Sequence, residues 1–394
     1  MDRKRDFCTN KSMSTSPRKS TSSSSSESAG PIIREFQSVE GGDIHSRSQP
    51  DGIRFRLVSY NILAQVYVKS SLFPHSPSSS LRWKARSQSI LHLLKNLSAD
   101  FFCLQEVDEY DSFYKTKMED LGYSSIYVQR SGQKRDGCGI FYKNNCAELL
   151  LKETIEYNDL VDSVQGESET SLSVDEQNET LTHGNNGADP KSDSSVKGNK
   201  EGRGDPNDPR VRLKRDCVGI MAAFKLNDPF PHVIILANTH LYWDPAWADV
   251  KLAQAKYLLS RLAKFKTMVT EKFECIPSLV LSGDFNSTPG DKVYQYLISG
   301  NSSSASSVSC LEEVPLPLCS VHAFTRGEPP FTNCTPDFTN TLDYIFFSPS
   351  DCLKPVGILD LPELDSPDVA GGLPNYSHPS DHLPIGAEFE IIKE

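Results

Sequence analysis

The chain has 394 residues, 52 acidic against 41 basic side chains, a net charge of −11 and 37% hydrophobic residues. That length holds one large domain or two ordinary ones. No run reaches the ~18 apolar residues of a membrane span and no secretory apolar core opens the chain, so no membrane partner is expected. The charge is unevenly spread: residues 151–210 hold 14 acidic and 6 basic side chains, eight of the eleven net negative charges. The near-neutral remainder leaves a polyanionic substrate open but argues against a broad basic groove. For such a substrate, bound divalent metal would supply much of the local positive charge.

Residues 1–52 are polar and almost pure serine from Thr21 to Ser28, which predicts a disordered tail. Ile53-Arg-Phe-Arg-Leu-Val-Ser59 alternates and then turns apolar, as a strand entering a core does. Leu81 to Leu97 follows with Ile90, Leu91, Leu94 and Leu97 at helical spacing, and Asp100–Leu104 reads as a short buried strand. Gly137–Tyr142 and Asp216–Leu226 are strand candidates on either side of an acidic insertion at about 153–210. The insertion is expected to be a disordered loop between neighbouring strands. His232–Asn238 is apolar and β-branched, and a helix is predicted from Trp247 to Met268. Ser278–Ser282, Leu342–Phe347 and Pro384–Ile392 complete the strands. Strands with few intervening helices predict a layered α+β sandwich, one domain over 53–392 broken by the insertion. The ten cysteines form no C-x-x-C pair and several sit in apolar runs, as buried reduced thiols of an intracellular protein would.

Polar residues of one kind recur at the ends of the apolar runs: Asn61, Glu106, His240, Asp284 with Asn286, Asp343, and Asp381-His382. If the strands lie side by side, these groups converge at one rim of a rigid sheet. Carboxylates and amide oxygens without clustered cysteine suit a hard cation such as Mg²⁺. If the polyanionic substrate left open above is an ester, its hydrolysis would call for such a cation, a group to take the proton of the attacking water and an imidazole to stabilise developing negative charge. Either His382 or Asp284 suits the base. Singly, each residue is weak evidence: a Glu after a strand is usually a solvated loop residue, Gly-Asp-Phe-Asn forms turns, and a lone His is usually structural.

Ser59-Tyr-Asn-Ile-Leu63, Leu104-Gln-Glu-Val107, Asn238-Thr-His240, Gly283-Asp-Phe-Asn286, Leu342-Asp-Tyr-Ile-Phe346 and Ser380-Asp-His382 together resemble the ordered motif set of the exonuclease–endonuclease–phosphatase family. The resemblance implies a four-layer α/β-sandwich with Glu106 as a Mg²⁺ ligand and Asn61 beside metal and phosphate. By the same resemblance, Asp284 and Asn286 position the attacking water or a second metal, His240 and His382 flank the scissile phosphate, and Asp343 orients His382. Asn238-Thr-His-Leu-Tyr-Trp-Asp-Pro245 with Asp249-Val-Lys251, and Thr332-Asn-Cys-Thr-Pro-Asp-Phe338, are similar to the carbon catabolite repressor type deadenylases. That branch is a set of 3′→5′ exoribonucleases acting on poly(A) RNA, in which the residues matching Pro245 and Phe338 contact the terminal adenine. Cys334 stands where the branch often has Tyr, and the leucine-rich repeats of its longer members are missing, as in short plant homologues. The resemblance implies mRNA decay in cytoplasm or nucleus, with NOT-type complex subunits as possible partners and no DNA substrate. The alternatives are a sibling 2′-phosphodiesterase or nocturnin-like phosphatase, or a catalytically dead RNA-binding adaptor.

Overall fold

In a computed structural model, which describes residues 30–39, 52–162, 205, 208–301, 314–350 and 352–393, the apolar runs become the inner strands of two sheets. The first sheet has seven strands in the order β1 (Phe36–Ser38), β14 (Leu353–Leu359), β15 (Ile385–Ile391), β2 (Ile53–Asn61), β3 (Phe101–Gln105), β5 (Gly137–Lys143) and β4 (Tyr123–Gln129). The second has six, ordered β10 (Cys319–Ser320), β13 (Asp343–Phe347), β9 (Ser278–Asp284), β8 (His232–His240), β7 (Val218–Leu226) and β6 (Ala147–Glu156). A small hairpin, β11 (Asn333–Cys334) and β12 (Thr339–Asn340), stands apart. Among the described residues only β2–β3 and β8–β9 pair in parallel, and each pair is joined through a long helix: α1 (Trp83–Leu97) and α2 (Ala248–Phe273).

The two-residue period of the strands sorts side chains into layers. Phe55, Leu57, Phe101 and Cys103 of one sheet meet Ile220, Ala222, Phe224, Ile234 and Leu236 of the other. On the outer face of the first sheet, Val58, Tyr60, Phe102 and Leu104 pack on Ile90, Leu93 and Leu94 of α1. On the outer face of the second, Met221, Ala223, Ile235 and Ala237 pack on Leu258, Leu259, Leu262 and Phe265 of α2. The result is the helix–sheet–sheet–helix sandwich that the resemblance implies. Each such Leu contributes roughly 1.5–3 kcal/mol by leaving water.

Three boundaries differ from expectation. The predicted tail contains β1, which pairs antiparallel with β14 through Phe36 and Leu359; residues 1–29 and 40–51 lie outside the described residues. The insertion starts later than 153, because β6 continues to Glu156 against Val218 of β7, and Tyr157, Leu160, Val161 and Leu213 are buried under α2. Most of the predicted disordered stretch, 163–204 with 206 and 207, lies outside the described residues. The second helix runs to Phe273 and is entered through a 3₁₀ turn at Pro245–Trp247. All eight cysteines among the described residues are free thiols.

Candidate active site

The parallel pairs carry the site. Asn61 lies opposite Gln105 at the ends of β2 and β3, and His240, Asp284 and Asp343 are in register across β8, β9 and β13. Beneath them, Gln105 Nε2 donates to Asn238 Oδ1 at 2.8 Å, and Asn238 Nδ2 donates to the carbonyls of Leu104 and Gly139, each at 2.9 Å. These buried amides tie the two sheets together at the level of the site, so both rims are held in one frame.

Asn61 joins the two halves. Its Nδ2 donates to Glu106 Oε1 at 3.1 Å and to Asp284 Oδ2 at 3.0 Å, while its Oδ1 accepts from Leu63 N. The second Glu106 oxygen accepts from Ala64 N at 2.9 Å. Asp284 Oδ2 also lies 3.5 Å from His240 Nε2 and 3.7 Å from His382 Nε2. His382 Nδ1 meets Asp343 Oδ2 at 2.8 Å, and that oxygen accepts a further bond from Thr332 Oγ1 at 2.6 Å. The carboxylate thereby fixes the ring and leaves Nε2 facing Asp284. Asn286 N donates to Asp284 Oδ1 and its Nδ2 to Leu241 O, which leaves its side-chain oxygen for the site.

Burial disfavours charge on both acids. It pushes Glu106 up to about 7, with Asp381 and Asp136 adding to the effect, and it raises Asp284, helped by Asp343. Burial also lowers His240. For His382 burial acts the same way, but Asp343 and Asp284 outweigh it and hold the ring well above its ordinary value.

Asp343 Oδ1 and Gln105 Oε1 are buried oxygens without a hydrogen-bond partner. Ligand atoms of Asp284, Asp343 and His382 lie within 4.8 Å of one another. Acidic oxygens that repel one another in a desolvated cleft fit a hard cation. Of the residues singled out in the sequence, Asn61, Glu106, His240, Asp284, Asn286, Asp343 and His382 meet in one cleft. Pro245 and Phe338 stand apart from these on two separate loops. Pro245 is exposed at the start of the 3₁₀ turn that follows β8. Phe338 is 43% exposed and so is not a core residue; it lies at the tip of the β11–β12 hairpin, whose Asn333 bridges to His382.

Asp136, Tyr67, Arg130 and Lys251 also support the cleft, and of these only Lys251 falls in a motif quoted above, Asp249-Val-Lys251. Asp136 is fully buried, accepts from Tyr67 OH at 2.7 Å and pairs with Arg130 at 3.4 Å. Lys251, buried on α2, donates to Asn286 O at 2.6 Å. Only the position of Asp136 directly before the apolar run Gly137–Tyr142 marked it in the sequence.

The sequence pattern of the Endonuclease/Exonuclease/phosphatase family matches residues 58–382. The chain is 61% identical over 399 residues to the Arabidopsis thaliana protein named carbon catabolite repressor protein 4 homolog 4, covering 92% of each. It is 28% identical over 383 residues to the CCR4-Not complex 3′-5′-exoribonuclease subunit Ccr4 of Yarrowia lipolytica, spanning 86% of this chain but 48% of that one. Among solved structures it resembles ANGEL2, a 2′,3′-cyclic phosphatase, with a TM-score of 0.65, 25% identity, and coverage of 92% of this chain and 99% of that one.

Proposed function

Since the chain belongs to the endonuclease/exonuclease/phosphatase family, we propose that it is a Mg²⁺-dependent 3′→5′ exoribonuclease that shortens poly(A) tails. The observation that carries this reading is Asn61 holding Glu106 and Asp284 at one point while the His382–Asp343 pair closes the opposite side. A site so built suits one phosphodiester between two carboxylates and two imidazoles. Glu106 and Asp284, with the Asn286 side-chain oxygen, would hold the cation. When bound, it would offset the phosphate charge that otherwise repels an oxygen nucleophile.

The remaining work falls to the side chains. Asp284 takes a proton from the attacking water. His240 and His382 donate to the non-bridging oxygens as negative charge grows there. Asp343 and Thr332 keep the His382 ring from turning away. Bond formation from water to phosphorus and cleavage of the P–O3′ bond release a nucleoside 5′-monophosphate and leave a 3′-hydroxyl on the shortened chain. Pro245 and Phe338 take the terminal base. Stacking is worth roughly 1–3 kcal/mol and accepts any base, so the preference for adenine is graded: about tenfold over U or C. The Yarrowia relative's name supports the substrate class, and NOT-type subunits are proposed as partners on the same ground.

The test is 5′-labelled RNA ending in A20, incubated with Mg²⁺ and resolved on a gel. A ladder that shortens from the 3′ end, faster for A than for U, is expected, and Phe338→Ala should narrow the difference between the bases. The ANGEL2 likeness favours a second reading, opening of a 2′,3′-cyclic phosphate end. Cyclic ends converted without shortening, and A20 left intact, would replace the first reading with the second.

A further inference from the structure

We infer that the rim beside β7 and β8 is a second RNA subsite, in which Lys214, Arg215, Lys134 and Arg135 take backbone phosphates 5′ of the scissile one and Trp243 offers a face to a base. The inference rests on the exoribonuclease reading. The segment carrying Lys214 and Arg215 leads into β7, whose Gly219 pairs with Thr239, the neighbour of His240. The turn between β4 and β5 is tied to that segment. Arg130 Nε donates to Asp216 O at 3.0 Å, Arg130 Nη2 to Arg215 O at 3.3 Å, and Ser131 Oγ to Asp216 Oδ1 at 3.3 Å. Lys134 and Arg135 belong to this same turn, which these bonds hold against the Lys214–Arg215 segment.

The two arginines on Trp247 differ in a way that points to a ligand. Both guanidinium carbons lie 4.0 Å from its ring centroid. Arg212 is neutralised by Asp249 through two bonds of 2.7 Å. Arg215, also 5.3 Å from the Tyr242 ring, has only the Lys214 carbonyl at 3.1 Å for its side chain, and its Nε is buried without a partner. The adjacent carboxylate, Asp216, is held instead by Ser131 and Asn158. Among the described residues, no carboxylate stands within ion-pair distance of Lys134, Arg135, Lys214 or Arg215. Stacking holds Arg215 in place at little further entropic cost, as a phosphate contact requires.

Acidic residues stand next to other residues of the site. Asp108, Glu109 and Asp111 follow Glu106, while Asp337 and Asp381 flank Phe338 and His382. On the β7 side a chain leaving the cleft meets positive charge that has no acidic partner among the described residues. There Trp243 is 64% exposed, three residues beyond His240. An indole left in water beside unpaired cations is the combination that single-stranded nucleic acid uses, with stacking for bases and charge for backbone.

The test uses the full chain with 5′-labelled A2, A4 and A10. In Mg²⁺, kcat/KM should rise at least tenfold from A2 to A10 in the wild type, and Lys214→Glu, Arg215→Ala and Trp243→Ala should each flatten that rise. Binding of labelled A10 without metal, followed by anisotropy against KCl, should show a salt slope shallower by about 0.7 for each phosphate contact removed. Lys214 is exposed, so its variant keeps the fold even if Arg215→Ala does not; Lys264→Glu on α2 controls for net charge. Variants with the wild-type length dependence and salt slope would overturn the subsite. A wild type that shortens A10 no better than A2 would also overturn the subsite but leave the exoribonuclease reading standing. A wild type that neither binds nor shortens A10 would overturn both.

Discussion

Glu106 and Asn286 both hold left-handed backbone conformations, with φ of 56° and 47°. Asn adopts this region readily; Glu does not, and such residues persist at a cost of order 1–3 kcal/mol only where the surroundings fix them. Here the Ala64 amide and Asn61 fix the Glu106 carboxylate. Glu106→Gln keeps the shape and one oxygen but loses the charge. The variant should fold, lose at least a hundredfold in kcat, and lack the rise in Tm with Mg²⁺ that is expected of the wild type; an equal Mg²⁺-dependent rise in both would remove Glu106 from the ligand set. A second residue makes a prediction away from the cleft. His322 is buried with both ring nitrogens unpartnered, and burial pushes its pKa down to about 4 from 6.5. Between those values the unfolded chain binds a proton that the folded chain refuses. Stability therefore falls as pH drops from 6.5 to 4, by about 3 kcal/mol when complete. His322→Leu should abolish that part of the acid slope and raise Tm at pH 5. Parallel melting curves for variant and wild type across this range would show that His322 is not its source.

At the scale of elements, the approach of β8 to β9 depends on one glycine. A Cβ on Gly283, whose φ is 151°, would lie 2.1 Å from Thr239 O. Gly283→Ala must part the parallel pair just where His240 and Asp284 are in register. Tm should fall and kcat should drop at least tenfold even at temperatures where the variant is fully folded; retained kcat would mean the strand shifts without moving Asp284. The elements that sequence made legible are the ones with uninterrupted apolar patterns, such as β2, β8 and β9, and their polar last residues supplied the cleft. Those it missed break the pattern for physical reasons. β14 contains Pro355 and Gly357, tolerated because the strand bulges between them against β15. β6 carries three consecutive leucines with a bulge between Leu149 and Leu151, so its alternation is lost. β1 is three residues long and follows the serine-rich run Thr21–Ser28, so the polar tail around it hides it. Asp136 was missed, and Lys251 and Thr332 entered only inside longer motifs without a role of their own, because all three act through other residues, a relation that spacing along the chain does not encode.

For the whole molecule, the segment between β6 and β7 separates packing from charge. Tyr157, Leu160, Val161 and Leu213 belong to the core, and Tyr157 OH lies 2.6 Å from Thr239 Oγ1 beside His240. Residues 163–207 contribute nine acidic and four basic side chains, so removing them changes the net charge from −11 to −6. Replacing 163–207 with a six-residue Gly/Ser linker leaves every core contact named above in place. The shorter closure favours the fold by about 2 kcal/mol at most. Replacing 155–208 instead removes Ile155, Tyr157, Leu160 and Val161, and large-to-small core losses of ~2–5 kcal/mol each should unfold the protein at ordinary temperature. The shorter deletion should therefore hold or raise Tm while the longer one abolishes the transition. It should also tighten A10 binding at low salt, because the chain re-enters β7 beside Lys214 and Arg215 and loses negative charge there. Near 0.3 M KCl, where the Debye length falls to roughly 6 Å, the gain should fade. A gain that persists at that salt would mean the segment obstructs RNA sterically rather than through its charge, and a large loss of Tm after the shorter deletion would mean that residues 163–207 pack on the domain.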